Sequence, residues 1–309
     1  MFPGQGSQYI GMGKEFYEQI PICKEVYDLA SEVTGLDIPA LCFEENEKLN
    51  ITEYTQICML ATEAAIYMAL EQNGYQPDVT AGLSLGEYGA LIASGVMTAE
   101  EAFELVRKRG IFMQEAVPTG GAMAAVLGLD AAAIEQICRE TAEQTGSEVS
   151  IANYNCPGQI VISGQEEAVH LAGETCKASG AKRVVPLKVS GPFHSKMLQG
   201  AGEKLKEELK KVEISDSFVP YIANVTADYV TKKEEVKLLL ASQVSSSVRW
   251  QQTIERLLAD GADEFVEIGP GRTLSGFVKK VNRDVKVSSI DKMEDFIQFI
   301  GSHVEAGAC

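Results

Sequence analysis

The sequence is poor in positive charge: 27 lysines and arginines face 44 aspartates and glutamates, a formal balance of −17. A phosphate backbone is held by clustered Lys and Arg, so this deficit disfavours a nucleic-acid binder. No apolar run approaches the roughly 18–20 residues that span a bilayer, so no membrane partner is expected. The opening Met1-Phe2-Pro3-Gly4-Gln5 has no basic n-region and no apolar h-region, so no secretory leader is read there. The seven cysteines (Cys23, Cys42, Cys58, Cys138, Cys156, Cys176 and Cys309) are odd in number and widely spaced, with no CxxC pair. Reduced thiols in a cytoplasmic protein fit that set better than disulfides or a zinc site. Internal repeats, low-complexity tracts and long linkers are also missing. What is present is ordinary globular material. The 309 residues are 45% hydrophobic and 23% charged, enough for one large domain or two unequal ones.

The pattern along the chain is α/β. Residues 52–73 read as a helix ending at Gly74, and Asp78-Val79-Thr80-Ala81 as a short strand. That strand runs into Gly82-Leu83-Ser84-Leu85-Gly86, after which Glu87 to Ser94 continue as a helix. Thr98-Ala99-Glu100-Glu101 fits a capping box for the helix that follows. Residues 119–189 have an order of their own, βαββαβ, with a hairpin across Cys156-Pro157-Gly158. This predicts a ferredoxin-like subdomain inserted into a larger α/β body made of residues 1–118 and 190–309. Beyond the insertion the spacing predicts a long helix over 195–211, a strand near 218–224, helices near 233–241 and 250–260, and a strand over Glu264–Ile268.

The sharpest chemical signal is Gly82-x-Ser84-x-Gly86 between a strand and a helix. Such a turn exposes a serine hydroxyl at a helix N-terminus, and small residues must flank it. A glycine-rich turn with an incidental serine is the plain alternative, and the strand–turn–helix context favours a nucleophile. A serine needs a base, and the chain has only three histidines. His170 lies in a Glu-rich helix, His303 near the C-terminus, and His194 follows Gly191-Pro192-Phe193 where a loop enters a helix. His194 is the best candidate, against the plain reading of a helix-start residue.

Arg109 shares the apolar stripe of its helix with Ala102, Leu105, Val106, Phe112, Met113 and Ala116. A guanidinium placed there is costly unless it is paired. Either an internal carboxylate supplies the partner, or Arg109 clamps a substrate carboxylate. The Gly4-Gln5-Gly6-Ser7-Gln8 loop fails as a phosphate loop and suits an oxyanion hole, and alone it proves neither.

These pieces occur in a fixed order with Asn153-Tyr154-Asn155-x-Pro157-Gly158-Gln159, Gly191-Pro192-Phe193-His194-Ser195 and Glu267-Ile268-Gly269-Pro270. Over essentially the whole chain the set resembles the malonyl-CoA:acyl carrier protein transacylases, and more widely the acyltransferase domains of fatty acid and polyketide synthases. Two departures are visible. Leu83 stands where the family usually has histidine, and Ser246-Ser247 where it usually has Asn-Pro. The resemblance implies an α/β-hydrolase-like body with a short parallel sheet, carrying the inserted ferredoxin-like unit.

It also implies an [acyl-carrier-protein] S-malonyltransferase of fatty acid synthesis, working by ping-pong through a malonyl-serine. In that scheme Ser84 is the nucleophile, His194 the base, and the main-chain N–H groups of Gln5 and Leu85 the oxyanion hole. A main-chain carbonyl orients the histidine, and Gln243, seven residues before Trp250, is the matching residue. Arg109, Phe193 and Asn155 are implied to bind substrate, with Phe193 crowding an α-methyl branch. Malonyl-CoA and acyl carrier protein are the implied partners, with no metal or bound cofactor, and a monomer is expected. The carrier would dock on basic windows without acids, residues 175–202 and 268–283.

Other readings remain at this point. A discrete acyltransferase of a polyketide synthase or of a malonate decarboxylase system shares all these motifs. A serine hydrolase expects an HGGG-like loop and an acid before the histidine. A non-catalytic carrier-binding module is expected to lose Ser84 or His194. Relatives place an apolar strand directly before Phe2, so Met1 is expected to be an internal methionine with that strand upstream.

Overall fold

The computed structural model describes residues 1–189 and 191–306. Ser190, where the larger body is expected to resume, and Cys309 lie outside the described residues. The chain opens with α1 (Lys14–Gln19), α2 (Pro21–Thr34) and α3 (Ile38–Phe43), for which the sequence pattern yields no prediction. They pack around α4 (Thr52–Gln72), which is buried on nearly every face through Ile57, Leu60, Ala64 and Ile66. An all-round apolar helix of this kind is a core helix and belongs at the centre of a layered domain. β1 (Thr80–Ala81) then leads into α5 (Gly86–Ala93) and α6 (Ala99–Ala116). At the start of α6, Thr98 Oγ1 accepts from Glu101 N at 3.2 Å, while Glu101 Oε2 accepts from Thr98 N at 2.8 Å. This is the capping box read from the sequence, worth about 1 kcal/mol.

The insertion follows as β2 (Gly121–Leu127), α7 (Ala131–Thr145), β3 (Val149–Cys156), β4 (Gln159–Gln165), α8 (Glu166–Ala178) and β5 (Arg183–Pro186). Its strands form one antiparallel sheet in the order β3-β4-β2-β5. The sheet has its own apolar cluster, including Val126, Ile134, Ile151, Ile162 and Val169, separate from the main core. Val248 ties it to the rest of the chain, donating to Ala152 O at 2.8 Å and accepting from Tyr154 N at 2.9 Å.

The remainder is α9 (Gln199–Leu209), β6 (Tyr221–Ile222), β7 (Tyr229–Val230), α10 (Lys233–Gln243), α11 (Trp250–Ala259), β8 (Glu264–Ile268), α12 (Thr273–Val281), β9 (Lys286–Ile290) and α13 (Met293–Ala306). β1 pairs in parallel with β6, and β8 with β9. The first two residues join these ladders. Phe2 N donates to Ala81 O at 3.0 Å, and the Met1 ammonium donates to Val266 O at 2.7 Å. The sheet therefore runs β7-β6-β1, then Met1–Phe2, then β8-β9. The whole is a mixed α/β protein of helices around small sheets.

The strand expected over residues 78–81 narrows to Thr80–Ala81, and two further expectations change in extent. The helix expected from residue 195 begins as α9 at Gln199, after a 3-10 turn over Lys196–Leu198. His194 adopts φ 58° and Ser195 is extended, so no helix can start before that turn. The strand expected near 218–224 narrows to Tyr221–Ile222, because only those residues meet β1 on one side and β7 on the other.

Candidate active site

The Gly82–Gly86 turn is built by close approach. A methyl group on Gly82 would lie 1.8 Å from Gly86 O, and one on Gly86 would lie 2.1 Å from Phe2 O, so neither position admits a side chain. Ser84 between them is held at φ 55°, left-handed for a non-glycine residue and costly by about 1–2 kcal/mol. Asn224 braces the turn from both sides. Its Oδ1 accepts from Ser84 N at 2.6 Å and its Nδ2 donates to Gly82 O at 2.6 Å.

Ser84 Oγ lies 2.7 Å from His194 Nε2. On the far side of the ring, His194 Nδ1 is 2.8 Å from the main-chain oxygen of Gln243. A carbonyl only accepts, so Nδ1 carries the proton and Nε2 is left as the acceptor of the serine proton. Burial pushes the His194 pKa down to about 4, with the Arg109 charge adding to the effect. The ring is therefore neutral near pH 7, the state a general base requires. The Gly4 segment meets the turn directly, since a methyl on Gly4 would lie 2.6 Å from Leu83 O. Among the described residues, neither Gln5 N nor Leu85 N is matched to a protein acceptor. Gln5 instead anchors its side chain, donating to Thr52 Oγ1 at 3.1 Å.

Arg109 is 1% exposed, and its partners are neutral. Nη1 donates to Gln56 Oε1 at 2.6 Å, and Nη2 donates to Gln243 Oε1 at 3.0 Å and to Ser84 Oγ at 3.2 Å. Its guanidinium sits 5.7 Å from the ring centre of Tyr88. Among the described residues no carboxylate lies within ion-pair distance of it, so the internal ion pair weighed from the sequence does not occur. The neighbouring Arg107 and Lys108, on other faces of α6, do form such pairs, with Glu53 and Glu208.

Phe193 is buried beside Gly191. Asn155 is buried in β3, and among the described residues no hydrogen bond joins it to Ser84, His194 or Arg109. His170 is exposed on α8, and His303 lies in α13. At the departure from the family pattern, Ser247 Oγ donates to Ile151 O at 2.6 Å. Among the described residues no group of three His, Cys, Asp or Glu side chains is placed to hold a metal. Three site residues are not singled out by the sequence: Asn224, Gln56 and Glu87. Only Glu87 has a local signal, directly after Gly82-x-Ser84-x-Gly86.

Residues 1–294 match the acyl transferase domain family. Over 296 residues the chain is 50% identical to a malonyl CoA-acyl carrier protein transacylase of Bacillus subtilis, covering 95% of this chain and 93% of that one. The structure is similar to a malonyl CoA-acyl carrier protein transacylase of Clostridium perfringens, with TM-score 0.94, 42% identity, and 99% and 97% of the two chains covered. It is equally similar to a malonyl-transacylase solved in complex with a type II PKS acyl-carrier protein, with TM-score 0.94, 39% identity, and 97% and 98% covered.

Proposed function

This chain belongs to the acyl transferase domain family, and from that membership we propose that it transfers a malonyl group from malonyl-CoA to the pantetheine thiol of an acyl carrier protein. The reaction supplies fatty acid synthesis. Ser84 Oγ attacks the thioester carbonyl carbon while His194 Nε2 takes the hydroxyl proton. The oxyanion that forms is met by Gln5 N–H and Leu85 N–H. Collapse breaks the C–S bond, and coenzyme A leaves with the proton returned by His194. The carrier thiol then gives its proton to His194 and attacks the malonyl-serine ester. Ser84 leaves as the alcohol, and the malonyl thioester of the carrier is released. Every proton and electron pair is carried by Ser84, His194 and the two thiols.

The observation that supports this most is the line from Ser84 Oγ through His194 to the Gln243 carbonyl, with 2.7 Å and 2.8 Å contacts. Arg109 supports the choice of acyl group. A buried guanidinium held only by amide and hydroxyl oxygens keeps its charge for a carboxylate, and malonyl brings one. In this reading Phe193, buried directly before His194, restricts an α-branched acyl group, and Asn155 binds substrate.

We read residues 119–189 as the ferredoxin-like unit, since a β3-β4-β2-β5 order of antiparallel strands with two crossing helices supports that topology. Residues 1–118 and 190–309 then form the hydrolase-like body. The buried free thiols Cys23, Cys42, Cys58, Cys138, Cys156 and Cys176 support a reducing, cytoplasmic setting.

The test is kcat/KM for malonyl-CoA and acetyl-CoA in the parent and in Arg109→Ala. Loss of a charge-assisted bidentate pair should lower the malonyl-to-acetyl ratio by about 30- to 1,000-fold. An unchanged ratio makes Arg109 a structural residue.

A further inference from the structure

Glu87 is 1% exposed and sits three residues beyond the nucleophile, on the first turn of α5. Its Oε2 accepts from Gln243 Nε2 at 2.7 Å and from Asn224 N at 3.2 Å. The same Gln243 Nε2 donates to Ser84 O at 2.8 Å. The amide N–H groups are thus directed at the nucleophile turn, and Oε1 must face the other way, where it accepts from Arg109 Nη2 at 3.0 Å. Turning the amide over would set NH₂ against guanidinium, donor on donor. It would also set the amide oxygen against the Ser84 carbonyl, which has no proton to share. The second acceptor on Arg109, Gln56 Oε1, is fixed in the same way, because Gln56 Nε2 faces Met113 Sδ at 3.5 Å.

The nearest buried carboxylate is therefore kept off the cation. Gln243 stands between Glu87 and Arg109, donating its N–H to Glu87 and accepting from Arg109 with its oxygen. A direct Glu87–Arg109 pair would neutralise the guanidinium and leave nothing for a charged acyl group. We propose that Glu87 is a positioning residue for acyl selection: through the side-chain amide of Gln243 it presents Arg109 to the acyl pocket, oriented and still charged. Glu87 also holds Asn224, which braces Ser84, so a single carboxylate links the selecting group to the nucleophile turn. The inference rests on the reading of Arg109 as the malonyl clamp.

The experiment is single-turnover acylation of Ser84 by malonyl-CoA and by acetyl-CoA, followed by intact mass. The proteins are the parent, Glu87→Met, Glu87→Gln, Gln243→Met, the Glu87→Met/Gln243→Met double variant and Arg109→Ala. Glu87→Met should lower the malonyl-to-acetyl ratio by about tenfold or more, the scale of a lost hydrogen bond to a charged group. Gln243→Met keeps the main-chain carbonyl that orients His194 and should lower the ratio to a similar degree. The double variant should fall no further than either, because both act along one path. Glu87→Gln retains an oxygen for Gln243 Nε2 and should restore the ratio to within about threefold of the parent. If Glu87→Met slows malonyl and acetyl transfer alike, or if Glu87→Gln fails to restore the ratio, the proposal is overturned. Should Glu87→Met not fold, an unchanged ratio in Gln243→Met overturns it equally. An unchanged ratio in Arg109→Ala defeats the clamp itself. A lowered ratio there, with none in Glu87→Met, defeats only the role given to Glu87.

Discussion

Arg109 Nη2 lies 3.2 Å from Ser84 Oγ, so the proposed malonyl clamp and the proposed nucleophile share a hydrogen bond. The same hydroxyl is 2.7 Å from His194 Nε2. A hydroxyl has one proton, and it points to the ring nitrogen because the guanidinium can only donate. A carboxylate arriving at Arg109 competes for that N–H and leaves Ser84 to His194 alone. On the proposed mechanism, binding of a carboxylated acyl group at Arg109 and activation of Ser84 are thus connected through one hydroxyl.

The left-handed backbone at Ser84, φ 55°, separates catalysis from stability. Ser84→Gly and Ser84→Ala both remove the hydroxyl, and neither should form an acyl-enzyme with malonyl-CoA. Only alanine keeps the Cβ that makes this conformation costly. The glycine variant should therefore be the more stable of the two by about 1 kcal/mol. Urea denaturation of both variants checks it, and an alanine variant of equal stability would count against strain at this turn.

The pH dependence follows from His194, pushed down to about 4 by burial and by the Arg109 charge. The acid limb of kcat/KM should fall near pH 4 instead of near the ordinary histidine value of about 6.5. Removing the positive charge with Arg109→Ala should move that limb upward, read with acetyl-CoA. The same group sets a stability term of known sign. The unfolded chain protonates first, so His194 costs stability as the pH falls from about 6.5 towards 4, and nothing above. A parent limb at 6.5 would mean the ring is solvated in the working enzyme.

The Met1 ammonium is buried between β1 and β8 and its pKa is lowered to about 5, chiefly by desolvation. Next to it runs a groove of about 440 Å³, with Asp78, Val79 and Thr80 on one wall and Glu264, Phe265 and Val266 on the other. A version extended at Met1 by about five to eight apolar residues, a common strand length, should fill that slot. It replaces a buried ammonium with a peptide N–H and pairs two strand edges. Its melting temperature should rise by about 1.5 °C for each kcal/mol gained, from an unfolding entropy of about 2.1 cal/mol/K per residue. Equal melting temperatures would show that the groove gains nothing from a strand.

Carrier docking should depend on the exposed lysines nearest His194. In the 268–283 window Arg272 pairs with Asp295, Lys279 donates to the Arg283 and Val285 carbonyls, and Lys280 donates to Gln159. Lys182 lies at the Leu127 end of β2, away from the Gly121 end that touches Pro192. Lys196, exposed two residues beyond His194, is better placed. Lys196→Glu should raise KM for the carrier protein about two- to fivefold, the scale of one exposed ion pair, and leave malonyl-CoA kinetics unchanged. Lys182→Glu should do less. The reverse ranking would place the docking surface at the far end of β5.

The sequence by itself determined the chemistry-bearing residues and the main punctuation. The Gly82-x-Ser84-x-Gly86 turn, the Thr98–Glu101 box and the apolar stripe carrying Arg109 are local patterns, set by spacing and sterics within a few residues. The scarcity of histidine pointed to His194, and a resemblance across the chain added Gln5, Leu85 and the Gln243 carbonyl. The three N-terminal helices, β7, α12, β9 and α13 were not read from the sequence, because elements of mixed polarity are decided by the surfaces they cover. Only the tertiary structure decided who partners whom. Asn224 is 140 residues from Ser84, Gln56 is 53 from Arg109, and Gln243 is 156 from Glu87. No periodicity encodes such meetings. Buried polar groups must find partners wherever the fold brings them, and here the fold gave Arg109 amide oxygens in place of a carboxylate.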